Sequence, residues 1–251
     1  MGAKARERKE MYRDLTFGLL TLLIPISMAV TAYAGQFADA DAAYSRGDYA
    51  TTYRLLKPLA EKGNDKAQYN LGIMYGKGQG VPKDDTEAVK WFRKAAEQGI
   101  PKAQFNLGIM YEKGQGVPQD YAEAVKWLHR AAEHGYPKAQ YNLGFLYEKG
   151  QGVPQDYAEA VKRWRKAAEQ GYARAQYNLG FLYEKGQGVP KDYVLSLMWF
   201  NLAASRFHAS EGKERELAVK SGNLVASKMT PAQIAEAERL AREWKPKKEG
   251  K

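Results

Sequence analysis

Four times, at a spacing of 36 residues, the chain repeats a basic side chain, an aromatic ring, a carboxamide, a large apolar side chain and a second basic side chain. The sets are Lys66, Tyr69, Asn70, Ile73 and Lys77; Lys102, Phe105, Asn106, Ile109 and Lys113; Lys138, Tyr141, Asn142, Phe145 and Lys149; and Arg174, Tyr177, Asn178, Phe181 and Lys185. At about 100° per residue of helix, the members of one set fall within roughly 100° of one another. A face meant only for water would not carry an aromatic and a large apolar residue in every copy. The chemistry is recognition. A carboxamide both donates to and accepts from a peptide backbone. Lysine and arginine meet acidic side chains or a terminal carboxylate. Units stacked about 10 Å apart would spread the four sets over roughly 30–40 Å, the reach of about ten extended residues. The expected partner is a protein or peptide bearing acidic groups. A structural use of the same residues stays open at this point. The ring can pack on the next copy, the Asn can tie down a loop, and the basic side chains can simply be solvated.

Residue types for bond-making chemistry are scarce. There is no cysteine, hence no disulfide framework, thiol nucleophile or thiolate metal site. His129, His134 and His208 are spread along the chain, and the first two are five residues apart, off the spacing that shares a helix face. Gly78-Gln79-Gly80 lacks the trailing Gly-Lys-Ser/Thr of a phosphate loop. Aspartates and glutamates recur where helices need caps. No catalytic residue, metal or cofactor is expected, and no small-molecule substrate. The pI of about 9.4 raises nucleic acid as a partner, but the N-terminus argues for export and therefore against it.

Residues 1–14 are basic, with Lys4, Arg6, Arg8, Lys9 and Arg13 against Glu7, Glu10 and Asp14. An uncharged, largely apolar run from Leu15 to Ala34 follows, interrupted by Pro25 and Ser27 and closing on Ala32-Tyr33-Ala34. That order is a secretory signal peptide over residues 1–34, with cleavage expected between Ala34 and Gly35. A bacterial periplasm is the expected compartment. Cleavage takes away five basic and three acidic residues of a +10 chain, leaving +8. The alternative is an uncleaved anchor, because about 20 apolar residues just span a bilayer.

The elements that must position the sets follow from the same period. Each copy reads as two helices, the first over about 66–77. Ala67, Leu71 and Tyr75, four apart and joined by Met74, form its buried stripe. Gly78-Gln79-Gly80-Val81-Pro82 stops it. The second spans about 84–98, with Asp84 as N-cap, Glu87 three residues on, and Ala88, Trp91, Phe92, Ala95 and Ala96 buried. Small residues such as Gly72 and Ala88 permit close approach. Helices this short are marginal alone, so stacking must stabilise them. Upstream, 35–64 reads as a degenerate hairpin in which Leu55, Leu56, Leu59 and Ala60 take the core slots. Downstream, 207–244 reads as capping helices, with Thr230, Pro231 and Gln233 starting the last one. Residues 245–251 are expected to be a disordered basic tail. One copy departs from the rest. Arg163 stands in the slot of Trp91, Trp127 and Trp199, and Trp164 stands beside it in the slot of Phe92, Leu128 and Phe200. The expectation is that Trp164 fills the core and Arg163 reaches solvent along its stem.

Asn70-Leu71-Gly72 with Tyr75, the Gly-x-Gly-Val-Pro loops, and Glu87-Ala88-Val89-Lys90-Trp91-Phe92 leading to Ala95-Ala96-Glu97 and Gly99 resemble Sel1-like repeats. These are longer-loop relatives of tetratricopeptide repeats. The resemblance divides the chain into copies at 65–100, 101–136, 137–172 and 173–206. It implies an all-α fold, a right-handed α/α superhelical solenoid of helix pairs with C-terminal capping helices. In such stacking the first helices line the concave wall, so the repeated sets are the expected partner-binding face. The Lys/Arg-x-x-x-Asn spacing resembles the carboxylate clamp of some tetratricopeptide repeats. The family implies scaffolds or adaptors, in bacteria often in the envelope or in signalling, without a fixed ligand or catalytic residues. Its cysteine-rich branch is linked to β-lactam hydrolysis, and this chain lacks the cysteines.

Overall fold

A computed structural model describes residues 35–247 of the chain. All regular structure among the described residues is helical. Residues 35–45 form helix α1, followed by α2 (Tyr49–Glu61), α3 (Asp65–Lys77), α4 (Asp85–Glu97), α5 (Pro101–Lys113) and α6 (Tyr121–Glu133). Then come α7 (Pro137–Lys149), α8 (Tyr157–Glu169), α9 (Ala173–Lys185), α10 (Tyr193–Arg206), a 3-10 turn at Ala209–Glu211, α11 (Gly212–Ala226) and α12 (Pro231–Glu243). The helices group into two units, up to Ala88 and from Val89 onward, with the division inside α4. The signal peptide expected over 1–34 lies outside the described residues. Among the described residues, no helix is long and apolar enough to cross a membrane.

In the first unit α1 and α2 occupy the stretch read as a degenerate hairpin, and Leu55, expected in the core, is only half-buried. Leu56, Leu59 and Ala60 are buried with Ala40 and Ala43, and with Ala67, Leu71 and Met74 of α3. Gln36 Nε2 donates to the Leu55 carbonyl at 3.0 Å, and the Tyr53 and Tyr75 hydroxyls meet at 2.9 Å. Asn64 caps α3 by accepting from the Ala67 amide at 2.8 Å. Asp84 Oδ1 accepts from the Glu87 amide at 2.9 Å, the cap expected for α4.

The second unit shows how one loop both ends and begins a helix. The α5 helix starts on Pro101, buries Ala103, Leu107 and Met110, and stops at Gly114, whose φ is 66°. The Asp120 amide then donates to the Tyr111 carbonyl at 3.0 Å. Its carboxylate accepts from the Ala122 and Glu123 amides at 2.9 and 3.0 Å, starting α6. Asp156 and Asp192 do the same for α8 and α10. Within a copy, the second helix sets a large side chain on a glycine of the first. Leu128 covers Gly108, Trp164 covers Gly144 and Phe200 covers Gly180.

Successive copies are tied by a buried glutamine. The carboxamides of Gln104, Gln140 and Gln176 donate to the Ala96, Ala132 and Ala168 carbonyls at 3.1, 3.4 and 3.1 Å. Each acceptor lies in the last turn of the preceding helix and also accepts from the glycine amide three residues on, at 3.0, 3.0 and 2.9 Å. In the first unit Gln68 bonds Ala60 likewise, at 3.0 Å.

The C-terminal end is strapped down. Thr230 and Gln233 form the expected capping box. The Arg206 guanidinium lies 4.3 Å over the Trp244 ring, which meets Trp199 edge-on at 6.4 Å. Of the tail expected to be disordered, residues 245–247 are described, and the Lys247 amide donates to the Glu169 carbonyl at 2.8 Å.

Candidate functional site

The repeated sets sit on the first helix of each copy, opposite its buried stripe. Their basic members, Lys66, Lys77, Lys102, Lys113, Lys138, Lys149, Arg174 and Lys185, are all exposed. Tyr69, Phe105, Tyr141 and Tyr177 are half-buried, as are Asn70, Asn106, Asn142 and Asn178, and Ile73 and Ile109. Phe145 and Phe181 are each 41% exposed, with Lys149 and Lys185 at 5.5 and 5.4 Å over their rings.

Phe105 packs edge-on against Tyr136 at 5.3 Å, and Tyr141 against Tyr172 at the same distance. Tyr136 and Tyr172 are the N-cap residues of the next copies' first helices, α7 and α9. Each ring therefore packs the first helix of its copy against the residue that caps the next first helix, and stays half-buried. Burial pushes the Tyr141 phenol up, against the opposing pull of Arg174 and Asn178. Tyr136 and Tyr172 close the copies that hold Phe105 and Tyr141, and the periodicity of a single helix does not point to them. Their only signal is a tyrosine recurring just before the next copy, where the first copy has Ile100.

In each unit a cleft opens beside members of the repeated sets. In the first unit, Tyr69, Asn70, Ile73 and Lys77 line a cleft of about 380 Å³ together with Asp41, Tyr44, Thr52, Leu56 and Met74. In the second unit, Tyr141, Arg174, Tyr177 and Asn178 line one of about 190 Å³ with Phe207, Glu214 and Leu217. The fourth basic residue is already engaged there. Arg174 Nη2 lies 3.1 Å from Glu211 Oε1 and 3.3 Å from Glu214 Oε1. Its bond to Glu211 raises the guanidinium pKa.

An acidic row runs beside the second basic row. Glu148 pairs with Lys149 at 3.3 Å, and Glu184 with Lys228 at 2.8 Å. Burial pushes the Glu112 carboxyl up, partly offset by Lys113. A carboxyl whose folded pKa lies above its unfolded one is destabilising when ionised, and that cost disappears as pH falls through the raised value. Glu112→Gln is therefore expected to stabilise the fold at pH 7 by under about 1 kcal/mol after solvent screening. Urea melts should show the gain shrinking to nothing toward pH 4, and a gain that widens in acid would contradict this origin.

On the second helices, Trp164 is 1% exposed and fills the core as expected. Its Nε1 donates to the Tyr141 carbonyl at 2.8 Å. Arg163 donates through Nε to Glu159 at 2.7 Å, as Trp127 Nε1 donates to Glu123 at 3.1 Å one copy earlier. The guanidinium also reaches His129 Nε2 at 3.3 Å. Arg163, expected to reach solvent, is instead largely enclosed, its side chain 12% exposed, because Glu159 and His129 hold the guanidinium; it keeps the tryptophan's acceptor and adds a link between copies. Ser210 and Lys213 have the Ser-x-x-Lys spacing of serine acyl-enzymes, which sequence reasoning did not single out. Both are exposed, and His208 Nδ1, 3.1 Å from the Ser210 hydroxyl, accepts from the Ser210 amide to cap the turn.

The four 36-residue copies, at 65–100, 101–136, 137–172 and 173–206, each match the Sel1 repeat. The chain belongs to the Sel1 repeat family. A Sel1 repeat protein from Oxalobacter formigenes of known crystal structure is 32% identical, with a TM-score of 0.67 over 81% of this chain and 84% of that one. A protective antigen of uropathogenic Escherichia coli with an SLR fold is 29% identical, with a TM-score of 0.67 over 85% of this chain. That match spans 51% of the antigen's own chain. Over 52 residues, 20% of this chain, the sequence is 40% identical to the ERAD-associated E3 ubiquitin-protein ligase component HRD3A of Arabidopsis thaliana. The match covers 8% of that protein. The fold is thus the all-α repeat solenoid of Sel1 proteins, which are protein-interaction scaffolds and generally non-catalytic.

Proposed function

We propose that this Sel1 repeat protein is an exported scaffold that binds a peptide segment of a partner protein on the repeated face of its first helices. It acts in envelope or signalling regulation and carries out no bond-making chemistry. The reading rests chiefly on Phe145 and Phe181. Each is 41% exposed on a helix whose opposite stripe is already buried, beside a carboxamide and under a lysine ammonium. Isolated exposed apolar residues are ordinary, but the same ring at the same place in successive copies is a surface built for contact. The exposed Lys102, Lys113, Lys138, Lys149 and Lys185 favour acidic side chains around the contact. Export rests on the basic, apolar and Ala-x-Ala order of residues 1–34, and an N-terminus at Gly35 in the secreted protein would distinguish cleavage from anchoring.

The test uses an array of defined twelve-residue peptides of acidic, neutral and basic composition. Asn142→Ala with Phe145→Ala is expected to weaken binding of acidic peptides tenfold or more, equivalent to about 1.4 kcal/mol. Helical content and Tm should hold, because neither side chain is buried. Tyr141 is left intact, since it also packs on Tyr172 and Trp164. Lys166→Ala, an exposed change on α8, should leave binding unchanged. Equal binding by the double variant and the wild type would refute the reading.

A further inference from the structure

We propose that the cleft bounded by α7, α9 and the start of α11 is a socket for a single aromatic or leucine-sized side chain of the partner peptide, read alongside an uncharged stretch of its backbone. This rests on the peptide-binding reading above and adds where the anchor sits and what its neighbours must be. The volume of about 190 Å³ is below the roughly 300–1,000 Å³ of small-molecule pockets. A cleft of that size suits one large side chain rather than a whole small molecule. The floor is apolar, made by the rings of Tyr141, Tyr177 and Phe207 with Leu217 at the wall. One anchor buried in such a pocket commonly dominates the binding energy of an interface.

Charge selects the rest. Arg174, the counterpart of the clamp lysines, faces two carboxylates, Glu211 and Glu214, at 3.1 and 3.3 Å. One guanidinium against two carboxylates leaves the rim net negative, so an acidic ligand group finds its cation taken and meets repulsion. A peptide unit is neutral and offers one donor and one acceptor. Glu214 can accept from its N–H. Asn178, which lines the cleft, can give an N–H to the peptide carbonyl. The last copy therefore takes a different part of the peptide from the copies before it. It takes an apolar anchor, whereas the earlier copies, with exposed Lys102 and Lys138, take the acidic flank.

The probes are N-acetyl amides of phenylalanine, leucine, alanine and aspartate, titrated into the full chain by amide chemical shift. The phenylalanine and leucine amides are expected to give saturating shifts centred on Asn178, Glu214 and Leu217. Alanine should bind at least fivefold more weakly, and aspartate should give no shift there. Leu217→Trp fills the cleft from a position 54% exposed, so it should abolish the shifts without loss of helix. Glu214→Gln should weaken them. Shifts centred elsewhere, an equal response to the aspartate amide, or shifts indifferent to Leu217→Trp would each overturn the socket. Peptide-array binding lost on Asn142→Ala with Phe145→Ala, but no shift at the cleft, would sink the socket and leave the repeated face standing. The reverse pattern would do the opposite.

Discussion

Replacing Gly144 by alanine is expected to cost about 2–4 kcal/mol, although alanine is the better helix former by about 1 kcal/mol. The loss comes from what sits on that glycine. A Cβ there would press into Nε1, Cδ1 and Cε2 of Trp164. The indole cannot step aside cheaply, because it is 1% exposed and its N–H is held by the Tyr141 carbonyl at 2.8 Å. Overpacking costs about 1–3 kcal/mol, and a buried N–H torn from its acceptor costs about the same again. Gly108→Ala should cost less, since the nearest atoms in its way are Cγ at 2.8 Å and Cδ2 at 3.1 Å of Leu128, a side chain with other rotamers, and the one backbone atom, the Ala124 carbonyl oxygen, is 3.2 Å off. Denaturant melts measure both. A companion change gives the check: in a Trp164→Phe background, the Gly144→Ala penalty should fall by half or more. An undiminished penalty would place its cause elsewhere.

Gly152→Ala should be nearly as damaging, for a different reason. Gly152 has a φ of 72°, where a side chain costs about 1–2 kcal/mol. Its Cβ would also run into the carbonyl of Tyr121, the first residue of α6 in the preceding copy. The two together predict a loss of about 2–4 kcal/mol, concentrated at the junction between copies. Gly99→Ala is the control. Its φ is 88°, but nothing lies within 4 Å of a Cβ there, so only the conformational cost of about 1–2 kcal/mol remains. Repeat stability is roughly a sum of unit and nearest-neighbour terms. Gly152→Ala should therefore also broaden the unfolding transition, and Gly99→Ala should not. Equal losses at the two positions would show that the contact with Tyr121 carries no weight.

Much of this architecture was legible in the residues, and the reason differs by element. Asp84 as a cap and Thr230 with Gln233 as a capping box are local patterns, and the structure has both. Trp164 replacing its neighbour in the core follows from helical periodicity alone. The glutamine tie from Gln104 to Ala96 was not read, although a polar residue kept on a buried stripe in all four copies was its signal. Nor was the pairing of Phe105 with Tyr136 across 31 positions, because helical periodicity does not say which side chain stands at the far end of a copy. The engagement of Arg174 by Glu211 and Glu214 was hidden for a third reason. Those carboxylates lie past the last copy, where the 36-residue register no longer says what stands opposite. Of the expected binding face, the positions and exposure of the basic side chains were readable. The packing of its rings on Tyr136 and Tyr172 was not.

The glutamine-to-carbonyl tie makes the seams between units interchangeable. Gln104, Gln140 and Gln176 each reach the same atom of the unit before, so the trailing edge of any one matches the leading edge of any other. A cassette of 36 residues could be duplicated or excised in frame and the cut ends would still meet in matching chemistry. Chain length, and with it the number of contact positions offered to a partner, is then free to change in whole steps by ordinary recombination, without new junctions having to be invented.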